Sequence, residues 1–186
     1  MPDYIKKRYS EEIKDKARKI RAIIADVDGV LTDGGIIYTG SGEEIKNFHV
    51  RDGMIVRPLQ RSGIKVGVVT GRDSAVVRLR CEELGFDVHL HGIKNKVAAI
   101  DEWLTQVGIS WNELAYIGDD LIDMGVIKKS LLGVTPADAP EYVKEMADVI
   151  LKSGGGKGAF REFAELVLNE QGKLEGVINE FLKNAD

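Results

Sequence analysis

Six short apolar runs, each separated from the next by a longer amphipathic stretch, constrain this chain more than anything else in its sequence. They are Ala22-Ile23-Ile24-Ala25, Lys65-Val66-Gly67-Val68-Val69, Val88-His89-Leu90, Leu114-Ala115-Tyr116-Ile117, Leu132-Gly133-Val134 and Val149-Ile150-Leu151. The stretches between them predict helices near residues 54–62, 73–84, 95–107, 121–128 and 140–146, and Gly63, Gly85 and Gly108 stand where three of these must stop. Alternation of this kind arises when helices cross over between parallel strands, so the fold class is α/β, a doubly wound, Rossmann-like parallel sheet. A helix from about Ser10 to Lys19 precedes the first strand, so residues 1–20 form an N-terminal helical unit and 21–186 the α/β domain. With 186 residues and 44% hydrophobic content, one substantial core is expected and no second domain.

Two segments break the rhythm. Gly34 to Val50 carries short runs around Thr39-Gly40-Ser41-Gly42 and predicts a β-hairpin flap inserted after the first strand. Ser153-Gly154-Gly155-Gly156-Lys157-Gly158 predicts a flexible loop, leading into a C-terminal tail (153–186) with helical character from about Ala159 to Lys183. Neither the gap after Asp33 nor that after Arg72 is long enough for a large cap domain.

Composition narrows the partners. The net charge of -4 comes from intermixed acids and bases without a basic stripe, which argues against nucleic acid. No apolar run approaches the roughly 18 residues that span a bilayer, and Met1-Pro2-Asp3-Tyr4 lacks a signal-peptide pattern, so a cytoplasmic protein without a membrane partner is expected. The single cysteine, Cys81, has no internal disulfide partner and reads as a half-buried, inert thiol.

In an open parallel sheet the ligand site lies beyond the carboxyl ends of the strands. Four strands lead there into chemically loaded residues: Asp26-Val27-Asp28-Gly29, Thr70-Gly71-Arg72, Lys94-Asn95-Lys96 and Gly118-Asp119-Asp120. Gathering Asp26, Asp28 and Asp119 is costly, because two like charges ~4 Å apart repel by roughly 4 kcal/mol at an effective dielectric near 20. A cation must therefore sit among them, and ligands that are all oxygen favour a hard one; magnesium (Mg2+) suits a site that also holds a phosphate oxygen. Each acid taken singly could instead cap the helix that follows it.

Asp26-Val27-Asp28-Gly29-Val30-Leu31-Thr32, Thr70, Lys96 and Gly118-Asp119-Asp120 together resemble the four motifs of the haloacid dehalogenase superfamily. That resemblance implies that Asp26 attacks phosphorus, that Asp28 protonates the leaving oxygen and then activates water, and that Thr70 and Lys96 hold the transferring group. It also implies magnesium on Asp26, Asp119 and the main-chain carbonyl of Asp28, with Asp120 and Asp123 orienting ligands or Lys96, unless they simply cap a helix.

The chain further resembles the family of 3-deoxy-D-manno-octulosonate 8-phosphate (KDO 8-phosphate) phosphatases of lipopolysaccharide synthesis. Asn47-Phe48-His49-Val50-Arg51-Asp52-Gly53, Thr70-Gly71-Arg72, Gly118-Asp119-Asp120-Leu121-Ile122-Asp123 and Gly154-Gly155-Gly156-Lys157-Gly158-Ala159-Phe160-Arg161-Glu162 carry that likeness, continued by Gln171-Gly172-Lys173-Leu174. It implies a phosphorylated sugar acid as substrate, bound by Asp28, His49, Val50, Arg51, Asp52, Gly53, Arg72, Arg80 and Lys96. It implies also a homotetramer in which the hairpin packs between subunits and the tail reaches a neighbouring active site. On residue grounds His49 could equally be a packed edge residue, Arg80 a solvated one, and Lys157 and Arg161 either tail contacts or surface charges. Met54-Ile55-Val56 and His91-Gly92 depart from the family pattern. The rival readings are a phosphatase for a nine-carbon sugar acid, against which Arg72 argues, a receiver-type phosphoacceptor, whose phosphoryl group Asp28 would help to hydrolyse and which has no evident use for the hairpin and tail, and a catalytically idle interaction subunit, against which the intact motifs speak.

Overall fold

The structure, a computed structural model, describes residues 9–183. Six parallel strands form the sheet: β1 (Ala22–Ala25), β4 (Lys65–Val69), β5 (Val88–Leu90), β6 (Leu114–Ile117), β7 (Leu132–Thr135) and β8 (Val149–Ile150), in the order β5-β4-β1-β6-β7-β8. The numbering jumps at β1, where the chain first adds strands to one side and then to the other, and such a switch point opens a crevice at the strand ends. All six strands fall where their apolar runs predict them.

Period-2 alternation sends the two faces of the central strands β4, β1 and β6 into separate cores. Ile23, Ala25, Val66, Val68, Ala115 and Ile117 pack on one side with α1 (Glu11–Arg18), α4 (Ala75–Leu84), α8 (Ala159–Glu170) and α9 (Leu174–Lys183). Ala22, Ile24, Val69, Leu114 and Tyr116 face the other, under α5 (Lys96–Val107), α6 (Met124–Lys129) and α7 (Glu141–Lys144). Burial of β1 on both faces is what a central parallel strand requires, and it holds the backbone leading into Asp26 rigidly.

The single helix expected near 54–62 is instead two short ones, α2 (Val50–Met54) and α3 (Val56–Arg61). Pro58 has no N–H to donate to the turn before it, so the helix restarts with Pro58 in its first turn, where that N–H is dispensable. The hairpin forms, with β2 (Ile37–Tyr38) antiparallel to β3 (Glu44–Ile45), and Thr32 bridges Phe48 at its foot.

The glycine-rich loop departs from expectation. Gly155 and Gly156 are buried rather than mobile, and the Gly156 N–H donates to the Val30 carbonyl at 2.9 Å. A Cβ on Gly155 would lie 1.9 Å from the Gly29 carbonyl oxygen, so glycine here allows backbone to touch backbone. The tail beyond it also packs on its own chain: Leu174 and Val177 are buried, and Lys173 donates to the Ser62 carbonyl at 2.8 Å. Residues 1–8 of the N-terminal unit and 184–186 of the tail lie outside the described residues. No described helix is long and apolar enough to cross a membrane.

Candidate active site

Asp26 is the first residue beyond β1, and its N–H is held by the Ile117 carbonyl at 2.9 Å. Thr70 stands one residue past β4, Asp119 two past β6, and Lys96 opens α5, whose N-terminus Asn95 caps by accepting the Ala98 N–H at 3.1 Å. These elements converge. The Lys96 Nζ lies 2.8 Å from Asp26 Oδ1 and 2.7 Å from Asp123 Oδ1, with the Tyr116 hydroxyl 3.3 Å away. Lys96, Asp26 and Asp123 are all buried.

Asp123 is fully committed. Oδ1 accepts from Lys96 and from the Tyr116 hydroxyl, while Oδ2 accepts the N–H groups of Asp119 and Asp120 at 3.1 and 3.2 Å. It therefore shapes the loop that presents Asp119. Asp120 is more exposed and caps the following turn, accepting the Leu121 N–H at 2.7 Å.

Among the described residues Asp119 Oδ1 is buried with no hydrogen-bond partner, and carboxylate oxygens of Asp26, Asp119 and Asp123 lie within 4.8 Å of one another. Burial, and then the neighbouring acids, push the Asp119 carboxyl up to about 8 and that of Asp26 up to about 7. Lys96 supplies one positive charge for three acids. An orphaned oxygen in an all-oxygen donor set fits a hard divalent ion such as magnesium on Asp26 and Asp119, while the hydrogen bonds of Asp123 leave it a supporting role.

Asp28 points elsewhere. Its Oδ1 is ion-paired with Lys46, and its Oδ2 is 3.7 Å from Arg72 Nε. With Asp26, Thr70, Arg72, Asp119 and Asp120 it lines an open cleft of about 570 Å³. Gly29 makes the floor possible, since its φ is +86° and a Cβ there would sit 2.0 Å from Asp119 Oδ2.

A family model for haloacid dehalogenase-like hydrolase matches residues 91–161. The chain is 42% identical over 161 residues to a 3-deoxy-D-manno-octulosonate 8-phosphate phosphatase of Haemophilus influenzae, covering 87% of this chain and 89% of that one. Identity is 43% over 166 residues to the Escherichia coli K12 enzyme of the same name, covering 89% and 88%. The chain belongs to this family of haloacid dehalogenase-like hydrolases. The phosphatase of this family from Moraxella catarrhalis, crystallised with magnesium, phosphate and KDO, superposes with a TM-score of 0.90 at 38% identity, over 93% of this chain and 99% of that one. A cobalt-bound family structure from Haemophilus influenzae gives 0.82 at 43% identity, over 85% and 92%.

Within this family frame, the substrate residues expected from the sequence divide. Arg72 reaches the cleft, where its guanidinium is held by Glu44 at 2.9 Å and by the Tyr38 hydroxyl at 3.3 Å. His49, Asp52, Gly53 and Arg80 instead line a separate cavity beside Phe48, and Arg51 a third with Lys157 and Arg161. Val50 is exposed. Arg80 is paired with Glu83 at 2.7 Å and stacks 5.9 Å over Phe48; Asp52 accepts the Arg161 N–H at 2.7 Å; His49 Nδ1 is buried without a hydrogen-bond partner among the described residues. Among the described residues, Asp26 lines neither of these two cavities.

Three residues around the cluster go unnoticed in the sequence: Glu44, Lys46 and Tyr116. Lys46 carries the one available signal, a charged residue that shares a hairpin face with Glu44 two positions earlier. Cys81 is buried and its thiol is pushed up to about 12 by burial, as an inert thiol would be.

Proposed function

We propose that the protein is a magnesium-dependent sugar-acid phosphatase that converts KDO 8-phosphate to KDO and inorganic phosphate, for lipopolysaccharide precursor synthesis in the cytoplasm. The observation that carries the reaction type is Asp26: a buried carboxylate at the end of the central strand, paired to Lys96 and adjacent to Asp119. Substrate assignment is supported by the family relatives, named for that ester, and by Arg72, whose guanidinium suits a carboxylate or phosphate.

The substrate's phosphoryl group lies over Asp26, between Thr70 and Lys96. A carboxylate oxygen of Asp26 bonds to phosphorus as the ester P–O bond breaks, and Asp28 gives the departing oxygen a proton. Asp28 then takes a proton from water as that water attacks the aspartyl phosphate, releasing phosphate and restoring Asp26. Bound magnesium, held by Asp26, Asp119 and the Asp28 carbonyl, offsets the charge on the acids and on the phosphoryl oxygens. Lys96 supplies a fixed counter-charge to the transferring group, and Asp123 keeps Lys96 aimed.

The division of substrate residues between cavities supports a shared site. His49 to Gly53 and Arg80 meet the same ligand as Arg72 when one copy presents them to the cleft of another, which a homotetramer achieves and which replaces the missing cap. The apolar residues Ile36, Ile37, Tyr38 and Ile45 on the hairpin are exposed and suit such contacts. Leu174 and Val177 anchor the tail on its own chain, while Ile178, Phe181 and Leu182 are exposed and suit contact with a neighbour.

The test is a panel of phosphorylated sugar acids with and without chelator. The eight-carbon 3-deoxy ester gives the highest kcat/KM, chelation abolishes turnover and magnesium restores it. Equal or better turnover of a nine-carbon ester overturns the substrate assignment, and chelator-insensitive hydrolysis overturns the metal.

A further inference from the structure

The Lys46 side chain is wholly enclosed, although Ile45 and Asn47 on either side of it are exposed. Strand alternation turns Glu44 and Lys46 inward together, from a hairpin whose outer face is open to solvent. A buried ammonium is tolerated only where carboxylates compensate it, and two do. The Nζ contacts Asp28 Oδ1 and lies 3.5 Å from Glu44 Oε1. Glu44 is in turn fixed by the Ser74 hydroxyl and by Arg72, both just beyond β4. The hairpin is thus tied to the sheet through one network that ends on Asp28.

The two oxygens of Asp28 differ as a result. Oδ1 is engaged by Lys46, while Oδ2 is buried without a hydrogen-bond partner among the described residues, with the Arg72 Nε 3.7 Å away. A carboxylate on a short side chain can rotate about two bonds, and proton transfer needs it within hydrogen-bond reach of the ester oxygen. Tethering one oxygen fixes the carboxyl in a single orientation and leaves the other, enclosed beside Arg72, uncommitted until the ester oxygen reaches it.

We propose that Lys46 is a positioning residue for Asp28, so that the hairpin, when seated on the catalytic loop, sets the geometry of proton transfer to the leaving group. The inference rests on Asp28 being the proton donor. As the ester P–O bond breaks, the proton passes from the Asp28 carboxyl to the departing oxygen, and Lys46 itself exchanges no proton.

A leaving-group series separates positioning from a merely structural anchor. Aryl phosphates, running from nitrophenyl to unsubstituted phenyl, carry no sugar for any residue to grip, and their kcat/KM reports the step in which the phenol leaves. Nitrophenolate departs without help, whereas phenolate needs the proton. Lys46→Met should therefore lose at least about tenfold more kcat/KM on phenyl phosphate than on nitrophenyl phosphate, within the range general acid catalysis supplies. Lys46→Arg should restore the original slope, and Lys46→Met should add no steepening in an Asp28→Asn background. If Lys46→Met fails to fold by circular dichroism, Lys46→Gln, uncharged and of similar reach, is read in its place. An equal loss on both esters, with Asp28→Asn steep, overturns the proposal alone. A flat series for Asp28→Asn removes the proton-donor reading and the proposal with it.

Discussion

Replacing Lys96 by Met keeps most of the buried volume and removes the one positive charge among three acids. With Nζ 2.8 Å from Asp26 and 2.7 Å from Asp123, each pair attracts by about 6 kcal/mol at an effective dielectric near 20. Most of that attraction offsets the desolvation of the ions, and breaking a buried pair typically costs about 3–5 kcal/mol. A loss of that size is a large share of the roughly 5–15 kcal/mol that stabilises a domain. Chemical denaturation in chelator is the assay, with Lys96→Met, Asp123→Asn and the double variant forming a cycle. The double variant should recover part of the loss, because the amide oxygen introduced by Asp123→Asn would still accept the N–H groups that Asp123 now holds. The pH dependence has a definite sign. Lys96 holds the Asp26 carboxyl lower than burial alone would put it, so without Lys96 the folded variant binds a proton there that the unfolded chain has released. Its deficit should be smallest near pH 4 and grow as pH rises through 7, the value to which burial already pushes Asp26. A loss under about 1 kcal/mol, or a deficit flat with pH, would refute this account of the charge cluster.

Magnesium at about a hundredfold excess over its Kd should stabilise the native protein by about 2.7 kcal/mol in thermal melts, and should not stabilise Asp119→Asn. Gly155→Ala should cost about 1–3 kcal/mol and lower kcat, since the new Cβ would strike the Gly29 carbonyl and displace the loop between Asp28 and Asp119. Burial raises the Asp52 carboxyl to about 6 from 3.8, so the native state binds more protons than the unfolded chain and stability falls as pH rises across that window, by about 3 kcal/mol. Urea titrations of Asp52→Asn should lack that slope.

The strands were legible because each is a short apolar run bounded by helix stops, and β1, with Ala22 to Ala25 buried on both faces, has a signature little else produces. Asp26, Thr70, Lys96 and Asp119 were legible for a related reason: strand ends in a doubly wound sheet converge, so residue order alone brings them together. Lys46 was not, because its partner Asp28 is eighteen positions away and the alternation it shares with Glu44 does not say which loop the hairpin seats on. The loop at Gly154-Gly155-Gly156 was misread as flexible for a physical reason. Glycine serves both freedom and close approach, and only the proximity of Gly29 distinguishes the two.

The central claim is that Asp26 accepts phosphorus covalently. Acid quenching during turnover of the sugar-acid phosphate, followed by peptide mass spectrometry, tests it directly. The account predicts a phosphoryl group, labile to hydroxylamine, on the peptide carrying Asp26, and neither the adduct nor turnover in Asp26→Asn. Undiminished hydrolysis by Asp26→Asn, or a phosphoryl group trapped on another residue, would contradict it.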